Sequence, residues 1–313
     1  MAGVRIAVIG AGHFGRYHAQ KVAASADAVL VGIHDRHPER AAVVAGEVGA
    51  PVLASADAAI EAAEAVIVAT PTASHHPIAA AALDAGRHVL VEKPVTVTLA
   101  EVDALVAKAE SADRVLQVGH LERFSAARGA VARHVSRPLA MECVRVAPYR
   151  ERGTDVSVVL DLMIHDIDLV LMLAGAAPVS IEAAGAAVLS DTIDVALARL
   201  GFADGRAASL SASRIAPGTT RTLRLAGADG TLEADLVGRS LRRFAVSDRS
   251  VAEESWTDAD SLSAQLAGFI AAIRGEAPVV VDGAAGRAAL AVALEIEAQI
   301  GEAAAKARGA GLL

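Results

Sequence analysis

The stretch that decides the fold is Arg5-Ile6-Ala7-Val8-Ile9-Gly10-Ala11-Gly12-His13-Phe14-Gly15. Its apolar, β-branched first half predicts a buried parallel strand, and the residues from Phe14 to about Ser25 predict a helix. The glycines between them have the spacing of a dinucleotide-binding turn. Gly10 permits the tight turn, Gly12 lets a pyrophosphate approach the backbone, and Gly15 lets the helix pack closely on the strand. The phosphates would then lie on the open amides of the helix N-terminus.

An acidic residue ends the second predicted strand at the distance that such a turn requires. Asp35 lies about 20 residues after Gly15, where a carboxylate accepts both hydroxyls of the adenosine ribose. The same carboxylate repels a 2′-phosphate, which favours NAD over NADP. Three basic residues favour NADP instead, because basic groups bind that phosphate: Arg36, His34 and His37.

Composition limits the classes of protein that this chain can be. It has 313 residues, enough for two domains, and 54% of them are hydrophobic, which excludes a disordered chain. The net charge of −8 argues against nucleic acid as a partner. The single cysteine, Cys143, fits a reducing compartment. The first strand begins so early that we expect no signal peptide, and ionisable groups interrupt the most apolar long segment, 156–176, so we expect no membrane span and a cytoplasmic protein.

The order of predicted elements gives an α/β fold in two parts. Strands alternate with helices as far as Gly119, with Val52-Leu53 as a short third strand among six, which predicts a Rossmann dinucleotide-binding domain over residues 1–119. Residues 120–313 predict an α+β domain with an open, mainly antiparallel sheet. Its predicted elements are helices over 121–136 and 156–173, a strand over 139–147, further strands over 179–246, and closing helices over 261–274 and 283–307.

The helix that begins at Val156 carries one polar stripe on an otherwise apolar surface. At the α-helical spacing of about 100° per residue, Ser157, Asp161, His165 and Asp168 fall within an arc of about 80°, and Asp166 points elsewhere. Asp161 and His165 are four residues apart and can touch, which would fix the tautomer of the imidazole and tune it as an acid or base. A structural pair that ties the helix to its surroundings explains the stripe equally well.

Lys93 follows the fifth predicted strand, and ligands of open α/β sheets bind beyond the carboxyl ends of the strands. A lysine there can stabilise an alkoxide, although a single lysine at a strand end is more often simply exposed to solvent. Adjacent histidines, such as His75 and His76, face different sides of a helix, so capping or cofactor contact is a better interpretation than a metal pair. His120, Arg123 and Phe124 stand at the domain junction, and a further group of arginines could bind phosphate or carboxylate: Arg150, Arg152 and Arg214. There is no Cys/His cluster with zinc spacing and no nucleophile elbow, so we expect no metal site.

Three separated segments together resemble the Gfo/Idh/MocA oxidoreductases: 9–18, which holds the glycines, 85–94, which ends in Glu92-Lys93-Pro94, and 161–168, which holds Asp161 and His165. The resemblance spans essentially the whole chain. It implies that Lys93, Asp161 and His165 form the active-site trio, and that the Lys93–Pro94 peptide is cis. It also implies the following cofactor-binding residues: Gly10, Gly12, His13, Phe14, Gly15, Asp35, Arg36, Thr70, Pro71, His75, Glu92 and Lys93.

Within that family, the segments 117–124, 152–155 and 160–166 look most like the subgroup of UDP-N-acetylglucosamine 3-dehydrogenases. The glycine-rich run that usually precedes the catalytic Asp is replaced by Asp155-Val156-Ser157-Val158-Val159, which fits a nucleotide-sugar substrate better than inositol or a free sugar. The resemblance implies a 3-keto nucleotide sugar that a transaminase aminates on the way to lipid A. It also implies a homodimer or homotetramer that pairs through the C-terminal sheet.

The substrate-binding residues that we expect are His120, Arg123, Arg152, Asp161, His165 and Arg214, of which the arginines would hold the diphosphate. Two other functions stay open at this point. One is a different sugar or inositol dehydrogenase of the same family. The other is a sensor that binds dinucleotide and sugar without catalysis, although such a protein has no need of both Lys93 and His165.

Overall fold

The computed structural model describes residues 2–134, 137–151, 156–257 and 259–309. The chain divides into two compact units, Met1–Phe124 with Asp260–Arg287 and Ser125–Ala259 with Ala288–Leu313. Within the described residues, each unit contains one sheet. The predicted class, α/β with an N-terminal Rossmann part and a C-terminal part with a mainly antiparallel sheet, is confirmed.

The sheet of the first unit has five parallel strands in its described part, in the order β2-β1-β3-β4-β5. The strands are β1 (Val4–Ile9), β2 (Ala28–His34), β3 (Ala65–Val68), β4 (His88–Val91) and β5 (Leu116–Val118). β3, in the centre of the sheet, is buried along its whole length, as expected of a strand covered by helices on both faces.

Five helices connect or follow these strands in the N-terminal part of the described chain: α1 (His13–Ala24), α2 (Pro38–Val48), α3 (Ala56–Ala62), α4 (His75–Asp84) and α5 (Leu99–Ala112). The prediction of a strand at Val52-Leu53 is wrong. Val52 makes only an isolated parallel bridge with Ile33. The segment has no room to become a strand, because Ser55 already caps α3 through the amide of Ala58.

One helix near the C-terminus returns to the first unit. α8 (Ser261–Ile273) packs Leu266, Phe269 and Ile270 into the same apolar core as Ile6 and Ile33. The division into domains at residues 1–119 and 120–313 stays a prediction. It placed α8 in the second domain, whereas α8 packs into the core of the first unit. Its apolar face fits either sheet, so the amino-acid pattern alone does not choose between them.

The sheet of the second unit has eight strands in the described residues, in the order β13-β12-β11-β10-β6-β9-β8-β7. Neighbouring strands are antiparallel except β6 and β9, which are parallel. The strands are β6 (Ala140–Val146), β7 (Ser180–Ala186), β8 (Val195–Gly201), β9 (Ala207–Ser213), β10 (Thr220–Gly227), β11 (Gly230–Asp235), β12 (Ser240–Ala245) and β13 (Val251–Ser255).

Helices cover one face of this sheet. α6 (Ala126–Ala132), α7 (Ile164–Ala174) and the later part of α9 (Gly283–Gly309) contribute buried residues to one apolar core with the strands. The helix predicted over 121–136 is divided. A 3₁₀ turn occupies Leu121–Phe124, and Ser125 then caps α6 by accepting the amide of Arg128. The last two residues of that predicted helix lie outside the described residues.

The loop between β7 and β8 is built around one buried carboxylate. Asp194 accepts the amides of Val188, Leu189 and Ser190 at 2.7–2.9 Å and the hydroxyl of Ser190 at 2.7 Å. These bonds offset the cost of burial and hold the pKa of Asp194 at about 2. The Arg214 guanidinium lies 3.4 Å from the same carboxylate.

Arg214 connects this loop to the start of the helical segment that carries Asp161. Its guanidinium donates to the carbonyl oxygens of Val156 at 2.6 Å and Ile193 at 3.1 Å. The amide of Val158 donates to the same Ile193 carbonyl at 2.8 Å. Asp194 and Arg214 therefore hold the backbone at the entry to that helix.

In the described part of the chain, none of the helices combines the length and apolar content that a membrane span needs.

We expect Asp194→Asn to lower the free energy of unfolding by about 2 kcal/mol at pH 7, because the folded state favours the charged form. The pKa of Asp194 is lower in the folded state, about 2 against 3.8, so its contribution is complete above about pH 5 and is lost as the pH falls toward 2. Denaturant titrations of both proteins at several pH values measure this.

Asp191→Asn is the matched control, because this aspartate is in the same loop but exposed, and it should leave the unfolding free energy unchanged. A gap between wild type and Asp194→Asn that stays constant from pH 5 to pH 2 would contradict this account of the loop.

Candidate functional site

The glycine turn between β1 and α1 is packed so closely that two of its positions accept only glycine. A Cβ on Gly15 would lie 1.8 Å from the carbonyl oxygen of Gly10. Gly10 itself has a φ of +103°, and its Cβ would lie 2.4 Å from the carbonyl oxygen of Ala69. The turn therefore presses the start of α1 against β1 and the end of β3.

Gly12 has the opposite surroundings. A Cβ there would meet nothing within 4 Å among the described atoms. Gly12 is also the N-cap of α1, and no described side chain caps the amides of its first turn. Open space in front of uncapped helix amides fits the pyrophosphate of a dinucleotide.

Asp35 lies beside this turn, as the spacing predicts. One oxygen of its carboxylate accepts the amide of Ala11 at 2.7 Å, and the other accepts the amide of His37 at 2.8 Å. Each oxygen has a second lone pair that can accept a ribose hydroxyl. Arg36 donates its Nε–H to Nε2 of His37 at 3.2 Å. The Asp35 carboxylate thus contacts the glycine turn directly, as a ribose site without a 2′-phosphate requires.

Other predicted cofactor residues lie on the same unit. His13 is exposed at the start of α1, and its ring contacts Phe14 and Tyr17 edge to face, with centroid separations of 5.6 and 4.8 Å. Thr70 is the second residue after β3 and Pro71 the third, and Lys93 is the second residue after β4. These strands are parallel neighbours, so their ends meet at the carboxyl edge where ligands of this fold bind.

His75 is buried, and both of its ring nitrogens contact backbone carbonyls. Nδ1 lies 2.9 Å from the oxygen of Pro94, and Nε2 lies 2.8 Å from the oxygen of Thr70. Burial lowers the pKa of His75, against the effect of these carbonyls, which raise it. The predicted cofactor contact of His75 stays a prediction. Its ring also connects the segments that follow β3 and β4.

Glu92 is also buried, and its carboxylate faces His18 of α1 at 2.7 Å. Burial alone would raise the pKa of Glu92, but the hydrogen bond and charge of His18, together with Lys93, lower it below its ordinary value. Lys93 is half-buried, and its peptide bond to Pro94 is cis, as the resemblance implies. Spacing alone did not single out His18. The signal was a histidine on the buried face of α1, beside Gly15, Ala19 and Val22.

The segment with the polar stripe is not a continuous α-helix. Val159–Met163 forms a π-helical turn, in which the amide of Ile164 bonds to the carbonyl of Val159, and α7 follows. The wider turn changes the angle between Asp161 and His165 from that of an α-helix, and such turns occur often at functional sites. Both side chains are half-buried. The contact predicted between them stays a prediction.

The remaining stripe residues have structural partners. Ser157 accepts the amides of Val159 at 3.1 Å and Leu160 at 3.2 Å, and so caps the π-helical turn. Asp166 is buried against Arg145 of β6, with contacts of 2.8–3.1 Å from two guanidinium nitrogens. This ion pair joins α7 to the sheet directly after His165. Asp168 is buried.

The predicted substrate residues are in different settings. His120 is buried two residues after β5, Arg123 is half-buried in the 3₁₀ turn, and Arg214 is buried in the loop contacts of Asp194. Arg152 lies outside the described residues, and Arg150 is exposed. In the ranges that the structure describes, no group of three or more His, Cys, Asp or Glu side chains could hold a metal ion.

Comparisons with known proteins agree with this architecture. A family profile described as "Oxidoreductase family, NAD-binding Rossmann fold" matches residues 4–120, and one described as "GFO/IDH/MocA C-terminal domain" matches residues 110–233. The chain is similar, at 37% identity, to a UDP-N-acetylglucosamine 3-dehydrogenase from Acidithiobacillus ferrooxidans, over 96% of this chain and 98% of the relative. It is 30% identical to an inositol 2-dehydrogenase from Rhizobium meliloti, over 93% and 94% of the two chains. A solved structure of the Acidithiobacillus enzyme matches with a TM-score of 0.91, at 38% identity, over 96% of this chain and 98% of that one.

The two glycine environments predict different consequences for the same substitution. Gly15→Ala should lower the free energy of unfolding by about 1–3 kcal/mol, because its Cβ meets rigid backbone. Gly12→Ala should leave stability unchanged and weaken NAD binding about tenfold or more, because its Cβ enters the open space in front of α1. Denaturant titration and calorimetry with NAD measure the two effects. Equal NAD affinity of Gly12→Ala and wild type would contradict this placement of the pyrophosphate.

Proposed function

The chain belongs to the Gfo/Idh/MocA oxidoreductases, and on this premise we propose that it oxidises the 3-hydroxyl of UDP-N-acetylglucosamine with NAD. The observation that carries the proposal is the similarity, over nearly the full length of both chains, to the Acidithiobacillus enzyme of that name. The presence of Lys93, Asp161 and His165 supports it, since these residue types supply the acid, base and cation that oxidation of an alcohol needs.

We assign a separate role to each residue of the trio. His165 accepts the proton of the sugar hydroxyl as it is oxidised. Asp161 orients the imidazole and stabilises the imidazolium that forms. Lys93 stabilises the negative charge that develops on the sugar oxygen. NAD, when bound, supplies the hydride acceptor.

The nucleotide half of the cofactor fits the residues of the first unit. We propose that Gly12 and the first amides of α1 hold the pyrophosphate and that Asp35 holds the adenosine ribose. Asp35 is fixed by two backbone amides, so a 2′-phosphate would meet a carboxylate that cannot turn away. This favours NAD over NADP.

We place the reaction in the cytoplasm, on the path of a nucleotide sugar toward the amino sugar of lipid A. The buried and free thiol of Cys143 fits a reducing compartment. An inositol substrate, as the name of the Rhizobium relative suggests, and a sensor without catalysis are the alternatives that the assay below separates.

The test of catalysis is the increase in NADH absorbance when the protein is mixed with NAD and UDP-N-acetylglucosamine. A parallel reaction contains myo-inositol in place of the nucleotide sugar. We expect turnover with the nucleotide sugar. Lys93→Ala and His165→Ala should each lower kcat by about 10²–10⁴-fold and leave the Kd for NAD within threefold.

Lys108→Ala is the matched control, because Lys108 forms an exposed ion pair with Asp84, and its kcat should equal that of the wild type. Near-normal rates of both Lys93→Ala and His165→Ala would exclude the proposed roles. Turnover with inositol alone would assign the enzyme to the alternative substrate.

We propose further that the C-terminal sheet pairs with the sheet of a second copy. The face of β6, β7, β8 and β9 away from the apolar core holds a shallow concavity of about 480 Å³ around Leu197, which is 54% exposed. Two residues with small side chains, Ala184 and Ser211, also line it. Exposed Glu142 and Arg199 give the face both charge signs, which a two-fold axis brings together.

Leu197→Glu should reduce the oligomer to the mass of one chain in sedimentation velocity, because it places a charge at the centre of the paired faces. Val43→Glu is the control, since Val43 is also exposed, at 63%, but lies on α2 of the other unit. A Leu197→Glu protein with the mass of the wild-type oligomer would show that another surface is used.

A further inference from the structure

Two buried histidines from different helices contact the three residues that follow β4. These residues, Glu92, Lys93 and Pro94, are called the Lys93 turn here. His18 of α1 contacts its first residue, and His75 of α4 contacts its last. Both rings are only 1% exposed, so their contacts lie inside the first unit and not in solvent.

His18 fixes the Glu92 carboxylate. Its Nε2 lies 2.7 Å from one carboxylate oxygen, and the other oxygen accepts the amide of Lys93 at 3.3 Å. Gly119 closes the remaining side, since a Cβ there would lie 2.8 Å from the second oxygen. A carboxylate enclosed in this way cannot change rotamer without losing a charge-assisted hydrogen bond. The backbone at Lys93 is therefore tied to α1.

His75 fixes the other end of the turn. Its two nitrogens join the carbonyl of Pro94 to that of Thr70, the second residue after β3. The ring acts as a rigid spacer between the ends of two neighbouring strands. Replacement of the ring removes its contact with one or both of these carbonyls.

We propose that His18 and His75 are positioning residues that together set the direction in which the Lys93 ammonium points. A lysine side chain has four rotatable bonds, so its reach is accurate only where its backbone is held. A misplacement of about 1 Å at a catalytic group lowers the rate about 10²-fold. The proposal rests on the proposed role of Lys93 for its kinetic consequence, but the orientation itself can be measured without substrate.

The first experiment observes Lys93 directly. The sequence has four lysines, so ¹³C-dimethylation gives a small set of NMR signals, and Lys93→Ala identifies the one from Lys93. We expect His18→Leu to shift or broaden that signal and His18→Gln, whose amide reaches the same carboxylate oxygen, to restore it. His134→Leu is the control, because it removes a similar pair, His134 with Glu254 at 2.8 Å in the second unit, and should leave the Lys93 signal unchanged.

His75 has a pair of variants that separate its two contacts. Asn places its amide near the position of Nδ1 and so keeps the bond to Pro94, whereas Gln places it near Nε2 and keeps the bond to Thr70. We expect the Lys93 signal of His75→Asn to resemble that of the wild type more closely than the signal of His75→Gln does. The reverse order would overturn the proposal for His75, and it can be read even where His18→Leu does not fold.

The second experiment is a double-mutant cycle on turnover. We expect His18→Leu to lower kcat about 10–100-fold in the wild type and less than threefold in Lys93→Ala, with the Kd for NAD by calorimetry within threefold throughout. Additive losses, or a Lys93 signal that no histidine variant changes, would reduce both histidines to a stabilising role. A wild-type rate in Lys93→Ala, or no turnover at all, would instead refute the proposed function, and the NMR result would still decide the orientation.

Discussion

The fold of the first unit depends on the close approach of α1 to β1 at the glycine turn. The carbonyl of Gly10 occupies the place where a side chain at position 15 would begin, and the backbone of Ala69 occupies the corresponding place at position 10. This contact packs the start of α1 against the ends of β1 and β3. Three features then follow from it: open amides at the start of α1, the position of Asp35 beside Ala11, and a buried face of α1 from which His18 reaches Glu92.

The sequence was sufficient for those parts of the fold that rest on local periodicity. Short apolar runs such as Ala65–Val68 predict buried parallel strands, because such strands have no solvated face. The alternation in Val195–Gly201 likewise predicts a sheet with one covered face. The association of α8 with the first unit was not accessible in this way, because an apolar stripe shows that a helix is covered and not which sheet covers it.

The π-helical turn at Val159–Met163 was missed for a related reason. Its residues are ordinary helix formers, and an i to i+5 bond in place of an i to i+4 bond leaves no mark on composition. The polar stripe derived from a uniform spacing of 100° therefore includes a residue with a structural role. Ser157 is a cap, and Asp166, which the same spacing placed outside the stripe, is the residue that anchors α7 through Arg145.

The candidate site residues follow the same division between local and distant features. Gly12, Asp35 and Lys93 could be proposed from the sequence because their spacing from strand ends is fixed by the topology of an open parallel sheet. The buried pairs beside Lys93 and His165 were not accessible in this way, since His18 and Glu92 are 74 residues apart and Arg145 and Asp166 are 21 apart. Burying such pairs costs several kcal/mol in desolvation, and apolar side chains of similar volume would often be as stable. An apolar pair does not fix an orientation, because a hydrogen-bonded pair sets an angle and a distance, whereas apolar packing tolerates rotation. The first pair adjoins Lys93 and the second adjoins His165, the residues to which we assign the chemistry, so we connect both pairs with the orientation of those two residues.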